Sequence, residues 1–91
     1  MAVLPPGTVL GERFTVHGVV GRGGSATVYL AEDRLRGSRV ALKVVHPHLA
    51  ADPDARRRLR REVEAAAHLG GEGLLVPFDL HELDGHLVLS L

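Results

Sequence analysis

Ten of the eleven basic residues in this 91-residue chain are arginines, and the remaining one is Lys43. Lysine is a compact ammonium on a flexible stem, suited to reaching one phosphate oxygen, whereas arginine is a planar fork. Upstream of it, Gly21-Arg22-Gly23-Gly24-Ser25-Ala26 is dense in glycine. Without Cβ atoms, such a stretch lets backbone N–H groups approach an anion, although an ordinary hairpin turn uses glycines too. Downstream, Glu62 lies three residues after Leu59 and four before Ala66, at the edge of an apolar stripe. A carboxylate facing a core is costly unless it is paired. Either it meets the lysine, or it turns to solvent beside Arg58 or Arg61.

The elements that must carry these residues are legible in the pattern. Residues 1–11, with two prolines and two glycines, read as an irregular lead-in, and residues 12–91 as one domain. Glu12–Val20 has strand character, and the glycine turn leads at once into Thr27–Ala31, rich in β-formers. Gly37-Ser38 breaks the chain before a third strand, Arg39–Val45, which contains Lys43. Short turns between three strands predict an antiparallel meander. Asp52-Pro53 then signals a helix start, with Asp as N-cap and Pro in the first turn, and Gly70-Gly71 ends the helix. Its apolar stripe is Ala55, Leu59, Val63, Ala66 and Leu69. Leu74–Leu83 and His86–Leu91 read as two further strands joined at Asp84-Gly85, with Pro77 marking the start of the first or a bulge in it. The expected architecture is α+β: β-β-β-α-β-β, a five-stranded antiparallel sheet with one helix.

That order restricts the chemistry. A dinucleotide-binding loop runs into a helix, and this glycine turn runs into a strand. A Walker-type loop needs Gly-Lys-Ser/Thr, which is missing. A glycine turn between antiparallel strands, lying over phosphates, remains. Composition removes other classes. Eleven acidic residues cancel the eleven basic ones, and aromatics are only 3%, which argues against nucleic-acid binding. There is no cysteine, so no disulfide, thiolate nucleophile or cysteine–zinc site. The histidines include His46-Pro47-His48, but none has metal-site spacing, and they read as surface or capping residues. No secretory signal or membrane segment is read within residues 1–91, which predicts a soluble, cytoplasmic domain.

In its motifs the chain resembles the N-terminal lobe of protein kinases, most closely the bacterial serine/threonine kinases. Val20–Leu30 resembles their glycine-rich loop and following strand, Val40-Ala41-Leu42-Lys43 their lysine strand, and Arg61-Glu62-Val63 the segment of the αC-type helix that carries a paired glutamate. The resemblance implies that Lys43 contacts the α- and β-phosphates of ATP and that Glu62 holds it through an ion pair. It implies that Gly21, Arg22, Gly23, Gly24, Ser25, Ala26 and Thr27 lie along the phosphates. Val20, Val28 and Ala41 would then cover the adenine, with Val76 at the back of the pocket and Leu91 at the gatekeeper position. Two departures stand out. Ala26 replaces the motif's third glycine, and Gly70-Gly71-Glu72-Gly73 lacks the family's His-Pro-Asn and is one residue longer.

A kinase also needs a hinge, a His-Arg-Asp catalytic loop and an Asp-Phe-Gly magnesium site, and these 91 residues contain none of those motifs. His81 and Asp84, in or beside the last hairpin, do not replace them. The expected function is thus the ATP-binding lobe of an enzyme that phosphorylates protein Ser/Thr hydroxyls. Mg2+ and the protein substrate would be bound only in the complete two-lobed enzyme, and this lobe alone would be inactive. Two other readings stay open: a glycine-turn β-meander with no nucleotide role, and a stand-alone, non-catalytic module that binds a protein partner. Its contact would be the open face of the lobe or the basic helix face Arg56-Arg57-Arg58 with Arg60-Arg61. That helix face reads first as a solvated one, and a contact for a phosphorylated activation loop or an acidic partner is the sharper alternative.

Overall fold

The computed structural model describes residues 3–69 and 79–90. The described strands are β1 (Val9–Leu10), β2 (Phe14–Arg22), β3 (Ala26–Asp33), β4 (Ser38–Val45), β5 (Asp79–Leu83) and β6 (His86–Ser90). They form one antiparallel sheet in the order β1-β2-β3-β4-β6-β5. Two helices, α1 (Pro47–Ala50) and α2 (Pro53–Leu69), lie between β4 and β5.

The sheet has six described strands where the sequence predicts five, because part of the lead-in is not irregular. Val9 and Leu10 pair with Thr15 and Phe14, through a turn that puts Gly11 and Glu12 at positive φ. Upstream, Gly7 N–H donates to the Val16 carbonyl at 2.7 Å, and Leu4 N–H donates to the Tyr29 hydroxyl at 3.0 Å. The segment is therefore tied to the sheet by the hydrogen-bonding needs of two backbone N–H groups and one buried phenol.

The sheet is curled until its ends meet. Gly11 N–H, beside β1, donates to the Asp84 carboxylate at 2.9 Å, and the Phe14 ring of β2 meets the His81 ring of β5 edge-on at 5.6 Å. Inside the curl Leu10, Phe14, Val16, Tyr29, Ala31, Leu42, Val44 and Val88 form one buried cluster, with Leu4 and Leu83 packed against it. Replacing Phe14 or Tyr29 by alanine would cost about 3–5 kcal/mol, since each fills that interior completely. The Asp84-Gly85 turn predicted from sequence is present, with φ of 50° and 80°. These values suit the two-residue turn whose twist matches a hairpin.

The start of α2 also follows its sequence signal. The Asp52 carboxylate accepts from Asp54 N–H at 3.0 Å and the Asp52 carbonyl from Arg56 N–H at 3.0 Å, as an N-cap should. Leu59 and Val63 pack on Val45, Leu87 and Leu89, forming a second, smaller core on the outer face of the sheet. Arg56 pairs with Glu82 and fastens the helix to β5. The side chains of Ala66 and Leu69, the turn Gly70-Gly71-Glu72-Gly73, the predicted strand start at Leu74 with Pro77, and the site candidates Val76 and Leu91 lie outside the described residues.

Candidate functional site

Side chains directly opposite in an antiparallel ladder share a face. Lys43 lies opposite Val28 on one side and Leu89 on the other, and Ala41 lies opposite Leu30. Leu42 and Val44 point the other way, into the curled interior. Lys43 thus rises from the outer face on an apolar floor of Val28 and Leu89, with Ala41 and Leu30 continuing it along the strands. α2 covers the end of this face nearest Val45 and Leu87. No described helix covers the remainder: Leu30 is 37% exposed, while Val28, Ala41 and Lys43 are half-buried. Among the described residues the Lys43 ammonium has no ion-pair or hydrogen-bond partner. A half-buried cation without a partner on an apolar surface is a ready site for an anion.

The glycine turn connects β2 and β3 next to this floor. Gly21 pairs with Val28 and Arg22 with Thr27, and Gly23 N–H donates to the Ala26 carbonyl at 2.8 Å, closing the turn. None of Gly21, Gly23 and Gly24 has a positive φ. A Cβ would meet nothing within 4 Å at Gly21 or Gly24, and at Gly23 only the Ala26 carbonyl at an ordinary 3.7 Å. Neither backbone strain nor the packing of these described residues demands glycine here. The open space above the turn is what the glycines preserve, as the phosphate-cradle reading requires. Val20 is 67% exposed, at an irregular step in the register between Val19 and Gly21.

Glu62 takes the solvent-facing placement of the two its spacing allows, not the ion pair that the family resemblance implies. It is exposed on α2, and no ion pair joins it to Lys43. The helix docks through Leu59 and Val63 and is pinned at Arg56 to β5, which leaves the Glu62 flank in water. There the carboxylate keeps its hydration, which a buried position would remove without a partner.

Two arrangements carry no sequence signal of their own. Arg13 and Asp33, twenty residues apart, look like ordinary surface charges, yet Asp33 is buried and Arg13 grips it through Nε and Nη2. His46, just past β4, reaches back toward the glycine turn: its backbone N–H donates to the Ser25 carbonyl at 2.9 Å and its Nε2 lies 3.4 Å from the Thr27 hydroxyl. Among the described residues no group of three or more His, Cys, Asp or Glu side chains could hold a metal ion, and no helix is long and apolar enough to cross a membrane.

A strongly curled antiparallel sheet, a helix docked on its outer face, a glycine turn and a strand lysine beneath it define the amino-terminal lobe of a protein kinase. The chain is such a lobe, of the bacterial serine/threonine protein kinase type. It is 37% identical over 76 residues to the probable serine/threonine-protein kinase PknB of Corynebacterium glutamicum, covering 84% of this chain and 12% of that protein. It is 44% identical over 77 residues to the DNA damage-responsive serine/threonine-protein kinase RqkA of Deinococcus radiodurans, covering 85% of this chain and 11% of that protein. The crystal structure of the Mycobacterium tuberculosis PknI kinase domain superimposes with a TM-score of 0.75 at 34% identity, over 98% of this chain and 36% of the kinase domain. No protein-family model matches the chain. The chain therefore spans about an eighth of the curated relatives it matches and about a third of a solved kinase domain.

Proposed function

We propose that this lobe binds ATP on the face carrying Lys43, and that it serves a serine/threonine kinase that transfers the γ-phosphoryl group to protein hydroxyls. One observation carries this reading: a lysine with no partner among the described residues stands on an apolar floor, beside a glycine turn in which a Cβ at Gly21 or Gly24 would meet nothing within 4 Å. Val28, Ala41 and Val20 suit the flat apolar adenine, while Lys43 suits the α- and β-phosphates. The backbone of residues 21–26 suits the remaining phosphate oxygens, while Thr27, expected along the phosphates, has its side chain buried on the interior face. Glu62 would join Lys43 only after α2 turns its exposed flank inward, and we assign that step to the assembled, nucleotide-bound enzyme.

The described residues offer no magnesium ligand set, so no metal step is assigned to this lobe. Magnesium, the catalytic base and the platform for the protein substrate are assigned to the second lobe of a complete kinase, not to these residues. Without them the lobe positions nucleotide but should have no useful rate, because phosphoryl transfer depends on positioning and charge neutralisation. An ATP-dependent role also fits a cytoplasmic location, where ATP is available. The test is an amide NMR titration of the full-length protein with magnesium-ATP. The reading expects the largest shifts at residues 21–27, Val28, Ala41 and Lys43. Saturable binding that leaves this face unperturbed, or no binding at all, would refute it.

A further inference from the structure

Thr27 follows the glycine turn closely, yet it is only 1% exposed. Its hydroxyl therefore needs a partner inside the protein, and among the described residues the side chain that meets it is His46, whose Nε2 lies 3.4 Å away. The same histidine's backbone N–H donates to the Ser25 carbonyl at 2.9 Å. The carboxyl end of the glycine turn is thus fixed twice by one residue, once through the main chain and once through a side chain. The turn is also closed on itself by the bond from Gly23 N–H to the Ala26 carbonyl. Its height over the sheet is therefore set where it is anchored.

That anchor and the lysine hang from the same strand. Lys43 lies opposite Val28, and Thr27 opposite Val44. Because side chains alternate along a strand, Lys43 projects onto the ligand face while Thr27 lies with Val44 toward the interior face. His46 follows β4 three residues after Lys43 and reaches Thr27 there. A rigid strand therefore links the cation to the turn beside it. A hydroxyl can both donate and accept, so the contact survives either histidine tautomer.

We propose that His46 is a positioning residue for the nucleotide: by holding Thr27 it sets the height of the glycine turn over Lys43. The proposal rests on the ATP reading and adds to it a residue that does not touch the ligand face. Removing the imidazole leaves the Thr27 hydroxyl buried and unpartnered, and the turn must shift to hydrate it.

The experiment measures the affinity of a fluorescent ATP analogue, with magnesium, for the full-length protein and five variants. His46→Ala and Thr27→Val should each weaken binding by about fivefold, the usual worth of one such hydrogen bond. The double variant should be no weaker than either single one, since both remove the same contact. His46→Gln and Thr27→Ser keep a hydrogen-bonding pair and should bind within twofold of wild type. Thr27→Val preserves shape, so it reports even if His46→Ala folds poorly. Wild-type binding with unchanged singles, additive losses in the double variant, or no rescue by His46→Gln would each overturn the proposal while leaving the ATP reading standing. A wild-type protein that fails to bind the analogue would remove both.

Discussion

Arg13 grips Asp33 through two parallel bonds, Nε to Oδ1 at 3.0 Å and Nη2 to Oδ2 at 2.9 Å, at the open end of the β2–β3 hairpin. The same carboxylate accepts the N–H groups of Leu35 at 3.0 Å and Arg36 at 3.4 Å, which shapes the turn leading to β4. The Arg13 hydrogen bond, helped by those two N–H groups and opposed by burial, holds the Asp33 carboxyl down to about 2. Asp33→Ala should cost about 2 kcal/mol, or roughly 10 °C in Tm for a domain of this size. The folded-state value lies below that of the unfolded chain, so the contribution is complete above about pH 4 and is lost as pH falls toward 2. Thermal melts between pH 5 and pH 2 should show this acid loss in wild type and less of it in Asp33→Ala. Equal acid sensitivity in the two would disprove it.

His81 adds a second, milder pH dependence. It lies against Phe14 with its Nε2 3.2 Å from the Ser90 hydroxyl, and burial, reinforced by the charge of Arg13, lowers its pKa, while Asp79 and Asp33 partly oppose. Folding therefore favours the neutral ring. The unfolded chain takes up the proton first, and stability should fall as pH drops through 6.5 and level off below the folded-state value. Urea titrations at pH 7.5 and pH 5.5 should show a smaller difference for His81→Gln than for wild type. If both lose the same stability, another group is responsible.

Glycines with different duties should respond differently to alanine. At Gly11 φ is +58° and a Cβ would stand 2.5 Å from Leu83 Cδ2, so the Leu83 side chain, which packs against the interior cluster, would have to shift. The left-handed backbone alone costs about 1 kcal/mol for alanine, and Gly11→Ala should lower Tm by at least about 5 °C. Gly21→Ala and Gly24→Ala meet neither obstacle and should leave Tm within about 2 °C of wild type. Their effect should appear as weaker ATP binding. Calorimetric melts together with nucleotide titrations separate the two classes.

What the sequence disclosed follows from how local each signal is. Asp52-Pro53 and Asp84-Gly85 act through their own backbones, so the α2 start and the last hairpin could be read directly. The glycine turn and Lys43 were legible because a rare residue type stood at a meaningful distance from a turn. β1 was missed because two residues amid prolines and glycines have no period of their own and become a strand only by pairing with Phe14 and Thr15. Arg13–Asp33 and Thr27–His46 were missed for the same reason: each joins residues brought together only by the register of the meander. Periodicity put Glu62 at the edge of the stripe, but which way an edge faces depends on where Arg56 pins the helix. That information lies in Glu82, on another element.

Lys43 and Glu62 are where the functional reading is most exposed to test. Methionine fits the apolar floor between Val28 and Leu89, so Lys43→Met should fold with a Tm within about 2 °C of wild type. It also removes the cation that would meet the phosphates, and preorganised charge supplies a large part of the rate in phosphoryl transfer. In the full-length kinase, transfer to a protein substrate should therefore fall by at least about a hundredfold. Glu62→Gln separates the structure seen here from the assembled one. If the helix turns Glu62 onto Lys43 during turnover, this variant should lose at least about tenfold in kcat with no change in Tm, because Glu62 is exposed and has no hydrogen bond or ion pair among the described residues. Undiminished activity in Glu62→Gln would mean that Lys43 works without the carboxylate, and undiminished activity in Lys43→Met would end its assignment.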